Sequence, residues 1–208
     1  MNITVFGANG RVGSLVAVEL LNRGHHVLAA IHGQSRLERH PNLTVTQVNI
    51  YDDASVAEAL GSADAVVSAL GSWGTKRKDV LTEGMKRIIP VAEALDIKRI
   101  VSLTGADARA PGDTLSLVHR LSHGLFSVTA GKVLRDGEEH IRLLSESSLD
   151  WAVVRSPVMK ADGSGAYSLS SKRCKPWDSI PRVAVVQALC DLVESTQHSG
   201  SAPYIHQT

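Results

Sequence analysis

Cysteine is scarce in this chain. Only Cys174 and Cys190 occur, well separated and without C-x-x-C or metal-ligand spacing, so two reduced thiols are expected rather than a disulfide framework. Nine histidines are present, but none falls in an H-E-x-x-H or comparable pairing, so no metal site is expected. An excess of one charge is also missing. With 22 Lys and Arg against 21 Asp and Glu, the formal net charge is +1, which argues against nucleic acid and anionic lipid as partners. The longest apolar runs are of strand length, short of a membrane span. The first strand is expected to begin at Asn2, with no room for a signal peptide, so the expected location is cytoplasmic. There is no internal repeat or low-complexity tract. A length of 208 residues suits one well-buried domain with at most a small appended segment.

What is present begins at the N-terminus. Asn2-Ile3-Thr4-Val5-Phe6 is β-prone, and Gly7-Ala8-Asn9-Gly10-Arg11-Val12-Gly13 follows at once. Val12, Leu15, Val16 and Leu20 then recur at helical spacing up to Gly24, and His26 to Ile31 reads as a buried strand. In such a strand–turn–helix unit one glycine permits a tight reversal. A second admits backbone N–H groups to a pyrophosphate, and a third lets helix and strand pack closely. The helix N-terminus adds unpaired N–H groups and the positive end of its dipole. Glycines 7, 10 and 13 form G-x-x-G-x-x-G, and in this setting they point to dinucleotide binding.

Strands and helices alternate through most of the chain, the pattern of a doubly wound, mostly parallel α/β sheet. A third strand is expected over 43–48, a helix over 53–60, and a fourth strand over 64–70. A long helix follows over about 78–95, then a fifth strand over 99–103 ending in Thr104-Gly105. A helix over about 129–147, a sixth strand over 151–155 and a final helix from Pro181 to about Glu194 complete the domain. Residues 202–206 read as a last edge strand. Two stretches, 106–126 and 160–178, are longer than ordinary α/β loops. Both leave from carboxyl ends of strands, so they are expected to wall a substrate cleft. The apolar run 115–121 within the first suits a lid or a homodimer contact.

After the second strand, an NAD-preferring protein often carries an acidic residue for the ribose 2′-hydroxyl. Here Ile31-His32-Gly33-Gln34-Ser35-Arg36 contains none before Glu38. Arg36, with Ser35 and His32, suits a 2′-phosphate instead, so NADP(H) is expected in preference to NAD(H).

These residues resemble a known family. The glycine turn is similar to the G-A-x-G-x-x-G start of the atypical short-chain dehydrogenase/reductases. So are Ser35-Arg36-Leu37, Asp64-Ala65-Val66-Val67 leading to Leu70-Gly71, and Val154-Arg155-Ser156-Pro157. The likeness runs nearly the whole chain and is nearest to the biliverdin-IXβ/flavin reductase and NmrA-like branch. Glu83-Gly84-Met85 and Gly165-Ala166-Tyr167 add to it. The resemblance implies a single Rossmann-like domain with NADP(H) across the strand ends. Carried over by position, the pyrophosphate would meet Gly7, Asn9, Gly10, Arg11 and Val12. The 2′-phosphate would meet His32, Ser35 and Arg36, and the adenine would be bordered by Asn49 and Ile50. Ala69, Leu70 and Gly71 would line the adenosine side. Thr104 and Gly105 would lie under the nicotinamide ribose, with Ser156, Pro157 and Val158 beside the ring.

The catalytic part of the resemblance is incomplete. None of Tyr51, Tyr167 and Tyr204 has a lysine four residues later, whereas the superfamily uses such a pair for proton transfer. Val133 and Gly137 stand where that pair would be, and Thr104 is the nearest substitute for the superfamily serine. Two functions follow. One is a reductase passing hydride from NADPH to a small conjugated acceptor, flavin- or quinone-like, that collects its proton from water. In it Thr104 would position the reacting groups, and His119, His123 or Lys132 are candidates for a lid-borne contact. The other is a non-catalytic dinucleotide sensor that changes affinity for a partner. The role of Arg155 stays open between anion binding and pairing with a carboxylate.

Overall fold

A computed structural model describes the backbone of residues 1–114 and 117–208. It describes the side chains of all of these except 117–123 and 125–129. Among the described residues there are ten strands and five helices. They run β1 (Asn2–Phe6), α1 (Gly13–Asn22), β2 (His26–Ile31), β3 (Leu43–Gln47), α2 (Asp53–Leu60), β4 (Ala65–Ser68), α3 (Val80–Ala94) and β5 (Arg99–Gly105). There follow α4 (Leu117–Ser145), β6 (Asp150–Ser156), β7 (Val158–Lys160), β8 (Tyr167–Ser170), β9 (Ser179–Pro181), α5 (Arg182–Val193) and β10 (Tyr204–Gln207). The main sheet has the order β3-β2-β1-β4-β5-β6-β10-β8, parallel throughout except that β8 runs against β10. This is a Rossmann-like, doubly wound α/β fold in one domain.

Strand alternation builds two cores. On one face Ile3, Val5, Ala29, Val67, Val101 and Val154 meet Val16, Ala17 and Leu20 of α1 and the apolar side of α5. On the other, Phe6, Val66, Ile100, Trp151 and Val153 meet Val56 of α2, Met85 and Ile88 of α3, and Ile141 and Leu144 of α4. Neighbouring residues of a strand point to opposite faces, so a sheet covered on both sides reads as continuous apolar sequence. Leu15, which keeps helical spacing with Val16 and Leu20, is exposed. The α1 stripe is instead Val16, Ala17, Leu20 and Leu21.

Two expectations change. The last strand is not an edge: β10 lies between β6 and β8, and β8 forms the border. Register explains this, since Tyr204 pairs with Arg155 on one side and with Ser170 on the other. The 160–178 stretch supplies that outer strand. Its flanks, β7 and β9, pair with each other in a separate two-stranded sheet. The helix expected over 129–147 is the second limb of α4, which bends at Ala130 (φ −135°, ψ 27°). Residues 115–116 of the apolar 115–121 run, and the side chains of the rest of it and of His119 and His123, lie outside what the structure describes. Strand order reverses at β1, with β2 on one side and β4 on the other. Ligands of open α/β sheets bind at the carboxyl ends beside such a switch. No helix among the described residues is long and apolar enough to cross a membrane.

Candidate functional site

The glycine turn closes on itself at the end of β1. Gly7 has φ +77°, and a Cβ there would lie 2.8 Å from the Ala69 carbonyl oxygen at the exit of β4. A Cβ on Gly13 would lie only 2.2 Å from the Gly7 carbonyl oxygen. No L-residue with a side chain fits either place without moving backbone. The Gly10 N–H donates to the Gly7 carbonyl at 2.8 Å, and a Cβ on Gly10 would come 3.0 Å from the same oxygen. The N–H groups of Arg11 and Val12 have no hydrogen-bond partner among the described residues. Together with the α1 N-terminus they form a cradle for an anion.

Two clefts adjoin at this turn and share Gly10, Ala69, Leu70, Gly71 and Trp73. The first, about 620 Å³, lies over β1, β2 and the end of β3. Gly7, Asn9, His32, Asn49, Ile50 and Tyr51 line it. The second, about 540 Å³, lies over β4, β5 and β6. Arg11, Val12, Thr104, Gly105, Ser156, Pro157 and Val158 line it. The two make one trough across the strand ends. The cradle lies between its halves, as a dinucleotide with a central pyrophosphate requires. From the 106–126 stretch Asp107 and Ala108 line the second cleft, while Met159 and Arg182 approach it from beside the 160–178 stretch.

Of the coenzyme residues singled out from sequence, Ser35 and Arg36 line neither cleft; Lys132, a candidate lid contact, lies outside both as well. Arg36 is exposed on the loop beyond β2, and the Ser35 hydroxyl accepts from the Leu37 N–H at 3.2 Å. Asn9 is committed within the protein. Its Nδ2 donates to the carbonyls of His32 (3.1 Å) and Gln34 (2.9 Å), and its Oδ1 accepts from the Arg36 N–H (3.3 Å). It thereby ties the glycine turn to the loop carrying Arg36. The Asn49 Oδ1 accepts from the Tyr51 N–H at 3.1 Å, an Asx turn that shapes the first cleft. Over that cleft the Arg77 guanidinium stacks 3.6 Å from the Tyr51 ring centroid, and the Tyr51 hydroxyl donates to Asp79 at 3.1 Å. Burial and then the Asp79 contact push the Tyr51 phenol up to about 12, so it stays protonated. Trp73, 64 % exposed, overhangs both halves. Neither Arg77 nor Trp73 was evident from sequence; the one available signal was aromatic and basic residues in a glycine-punctuated loop after β4.

Gly137, at the lysine position of the missing Tyr-x-x-x-Lys pair, is tightly packed. A Cβ on Gly137 would lie 2.6 Å from Thr104 Oγ1 and 3.1 Å from the Ala108 Cβ, so α4 rests directly on β5 and a lysine there has no room. Val133 lines the second cleft where the tyrosine would stand. One turn away Asp136, nearly fully buried, caps α3 from α4. Its carboxylate accepts from the Ser72 hydroxyl, the Leu81 N–H (3.1 Å) and the Thr82 N–H (2.8 Å), which offsets its burial. Asp79, at the α3 N-cap, makes no side-chain cap bond. Below the cleft His140 is fully buried, and its Nε2 is 2.8 Å from Ser102 Oγ. Burial pushes this imidazole down to about 4, so it is neutral. Asp136 and His140, four residues apart, share the face of α4 that carries Val133 and Leu144; neither was singled out from sequence.

Arg155 is buried and paired. It bonds Asp113, the Ala202 carbonyl (2.7 Å) and the Ala108 carbonyl (3.4 Å), and its guanidinium lies 3.7 Å from the Tyr204 ring centroid. Arg173 reaches the same carboxylate at 3.1 Å. Burial works to raise the Asp113 carboxyl, but the Arg155 bond, the Ala110 N–H and the two guanidinium charges hold it below its ordinary value. Of the two roles left open for Arg155, carboxylate pairing is the one observed.

The model of the NAD(P)H-binding family matches residues 7–196. A short-chain dehydrogenase/reductase from Veillonella parvula DSM 2008, solved in complex with NADP, superposes with a TM-score of 0.80 at 18% identity, covering 99% of this chain and 94% of that one. A provisionally assigned NAD-dependent epimerase/dehydratase from Bacillus halodurans gives 0.80 at 24% identity, covering 100% and 94%. The anaerobillin reductase ChuY from Escherichia coli O157:H7 gives 0.78 at 18%, covering 100% and 97%. Among curated proteins, a 4-hydroxy-tetrahydrodipicolinate reductase from Natronomonas pharaonis is 28% identical over 107 residues. The match covers 51% of this chain and only 36% of that protein's length. The glycine cradle at the switch point, the trough across the strand ends and these likenesses agree: the chain belongs to the NAD(P)H-binding family and shares the Rossmann-like fold of these structures.

Proposed function

We propose that the protein is an NADPH-dependent reductase acting on a small conjugated acceptor of flavin, quinone or linear-tetrapyrrole type. The observation that carries this reading is the character of the second cleft. Trp73, Leu81, Leu103, Leu134, Val158 and Met159 give it apolar walls, and no histidine, cysteine, tyrosine or lysine is among its described lining residues. Such a hollow suits a flat apolar ring system, and its described lining offers no imidazole, thiol, phenol or amine to donate a proton. That suits an acceptor able to take its proton from water. The bound nicotinamide would supply the hydride, and the chain's part is to orient and to exclude water. Ser156, Pro157 and Val158 form the wall beside the nicotinamide ring. Thr104, held against Gly137, fixes the floor as a positioning residue.

The adenosine half belongs in the first cleft, with Asn49 and Ile50 at the adenine and Ala69, Leu70 and Gly71 at the junction. Preference for NADPH over NADH rests on His32, Ser35 and Arg36. It is supported by the exposed Arg36 guanidinium, which has no protein partner among the described residues. A second reading, a dinucleotide sensor without turnover, draws on the Gly137 packing that leaves no room for a lysine. One assay separates the two. NADPH is mixed with the protein and a panel of flavins, quinones, dichlorophenolindophenol and a linear tetrapyrrole, and absorbance of the reduced nicotinamide is followed. Turnover well above the uncatalysed rate is expected; tight NADPH binding with no turnover on any acceptor would favour the sensor.

A further inference from the structure

We propose that Cys174, Asp178 and His206 form a structural zinc site, which clamps the loop between β8 and β9 onto β10. A sulfur, a carboxylate oxygen and a ring nitrogen from these three residues lie within 4.8 Å of one another, and this is the one such group of three among the described residues. Around a four-coordinate zinc, three such donors stand roughly 3.2–3.7 Å apart. The three donors are thus near enough for one ion with a small adjustment of the loop, and water completes the fourth position. The mixed S, N and O donor set favours zinc over magnesium or calcium, which take oxygen alone.

The surroundings are those of a ligand shell. The Lys172 carbonyl lies 2.9 Å from His206 Nε2 and so accepts its proton, leaving Nδ1 with a lone pair. The Lys175 N–H donates to Asp178 Oδ2 at 2.8 Å, and the turn that brings these residues together is closed by the Asp178 N–H on the Lys175 carbonyl at 3.0 Å. Such outer partners orient metal ligands and fix the histidine tautomer. The Cys174 Sγ lies 3.4 Å from the Ile205 carbonyl. Burial, then the Asp178 charge, pushes this thiol up to about 11, against the pull of Arg155 and Arg173. Without metal it is protonated, and zinc binding releases that proton to solvent. None of the three residues lines either cleft, so the ion's role is to hold the loop. Arg173, next to Cys174, also reaches Asp113 and the Ala106 carbonyl. The clamp therefore bears on the wall of the second cleft.

The test is a cobalt titration of chelator-treated protein, read by absorbance, with NADPH binding and circular dichroism recorded on the same samples. The expected result is one cobalt per chain, with a near-ultraviolet sulfur-to-cobalt band and the intense visible bands of four-coordinate cobalt, all displaced by zinc. Cys190→Ser keeps both signals, Cys174→Ser loses the near-ultraviolet band, and Asp178→Asn weakens binding tenfold or more. Absence of the sulfur band in the unaltered protein would overturn the proposal. So would its persistence in Cys174→Ser or unchanged affinity in Asp178→Asn. NADPH binding is expected in every variant, so loss of the metal signal is distinct from loss of the fold.

Discussion

In the proposed reading the preference for NADPH falls to one exposed guanidinium on a loop, that of Arg36. Its backbone is tied to the glycine turn through Asn9, and its side chain is left to solvent. A hydrogen bond to a charged group contributes about 1.5–3 kcal/mol. Arg36→Ala should therefore weaken NADPH about 10- to 100-fold and NADH by less than about 3-fold, measured by calorimetry on both coenzymes. Equal losses would remove the phosphate role. At this scale the glycine turn was legible because much of its requirement is local: Gly10 and Gly13 meet the backbone of Gly7 and Ala8, whereas the close neighbours of Gly7 itself, Ala69 and Leu70, are remote in sequence. Asp136 and Asp113 were not legible. Their partners, Leu81 and Arg155, are set by helix and strand packing across remote parts of the chain.

At the level of elements, the contact of α4 with β5 shapes the second cleft. An added methyl at Gly137 would gain about 1 kcal/mol of helix propensity. It would also press on Thr104, a β-branched side chain in a strand with little rotamer freedom. Overpacking costs about 1–3 kcal/mol, so Gly137→Ala should destabilise by roughly 1 kcal/mol in urea unfolding. Combined with Thr104→Ala the two losses should be less than additive; strict additivity would contradict the contact. Most elements were readable from alternation and caps, and α2 falls on its expected residues. The place of β10 was not, because an interior strand and an edge strand differ by their partners and not by their own residues. β7 and β9, three residues each, carry too little pattern to be seen.

For the molecule as a whole, the buried neutral His140 makes stability depend on pH. Its folded value is about 4 and its unfolded value about 6.5, so protonation favours the unfolded chain. The stabilisation is complete above about pH 6.5. It is lost as pH falls toward 4, by an amount on the order of 3 kcal/mol. His140→Gln, which keeps a polar partner for Ser102, should flatten that acid-side loss in urea titrations between pH 7 and 4.5. An unchanged slope would place the acid sensitivity elsewhere.

The central claim is that a nicotinamide dinucleotide lies along the trough, with its diphosphate on the Gly7–Gly13 turn. Calorimetric titration with NADPH of the unaltered protein and of folded Gly10→Val tests it most directly. The account predicts saturable one-to-one binding to the first and at least a tenfold loss in the second. Normal binding by Gly10→Val, or none by either protein at millimolar coenzyme, would contradict it.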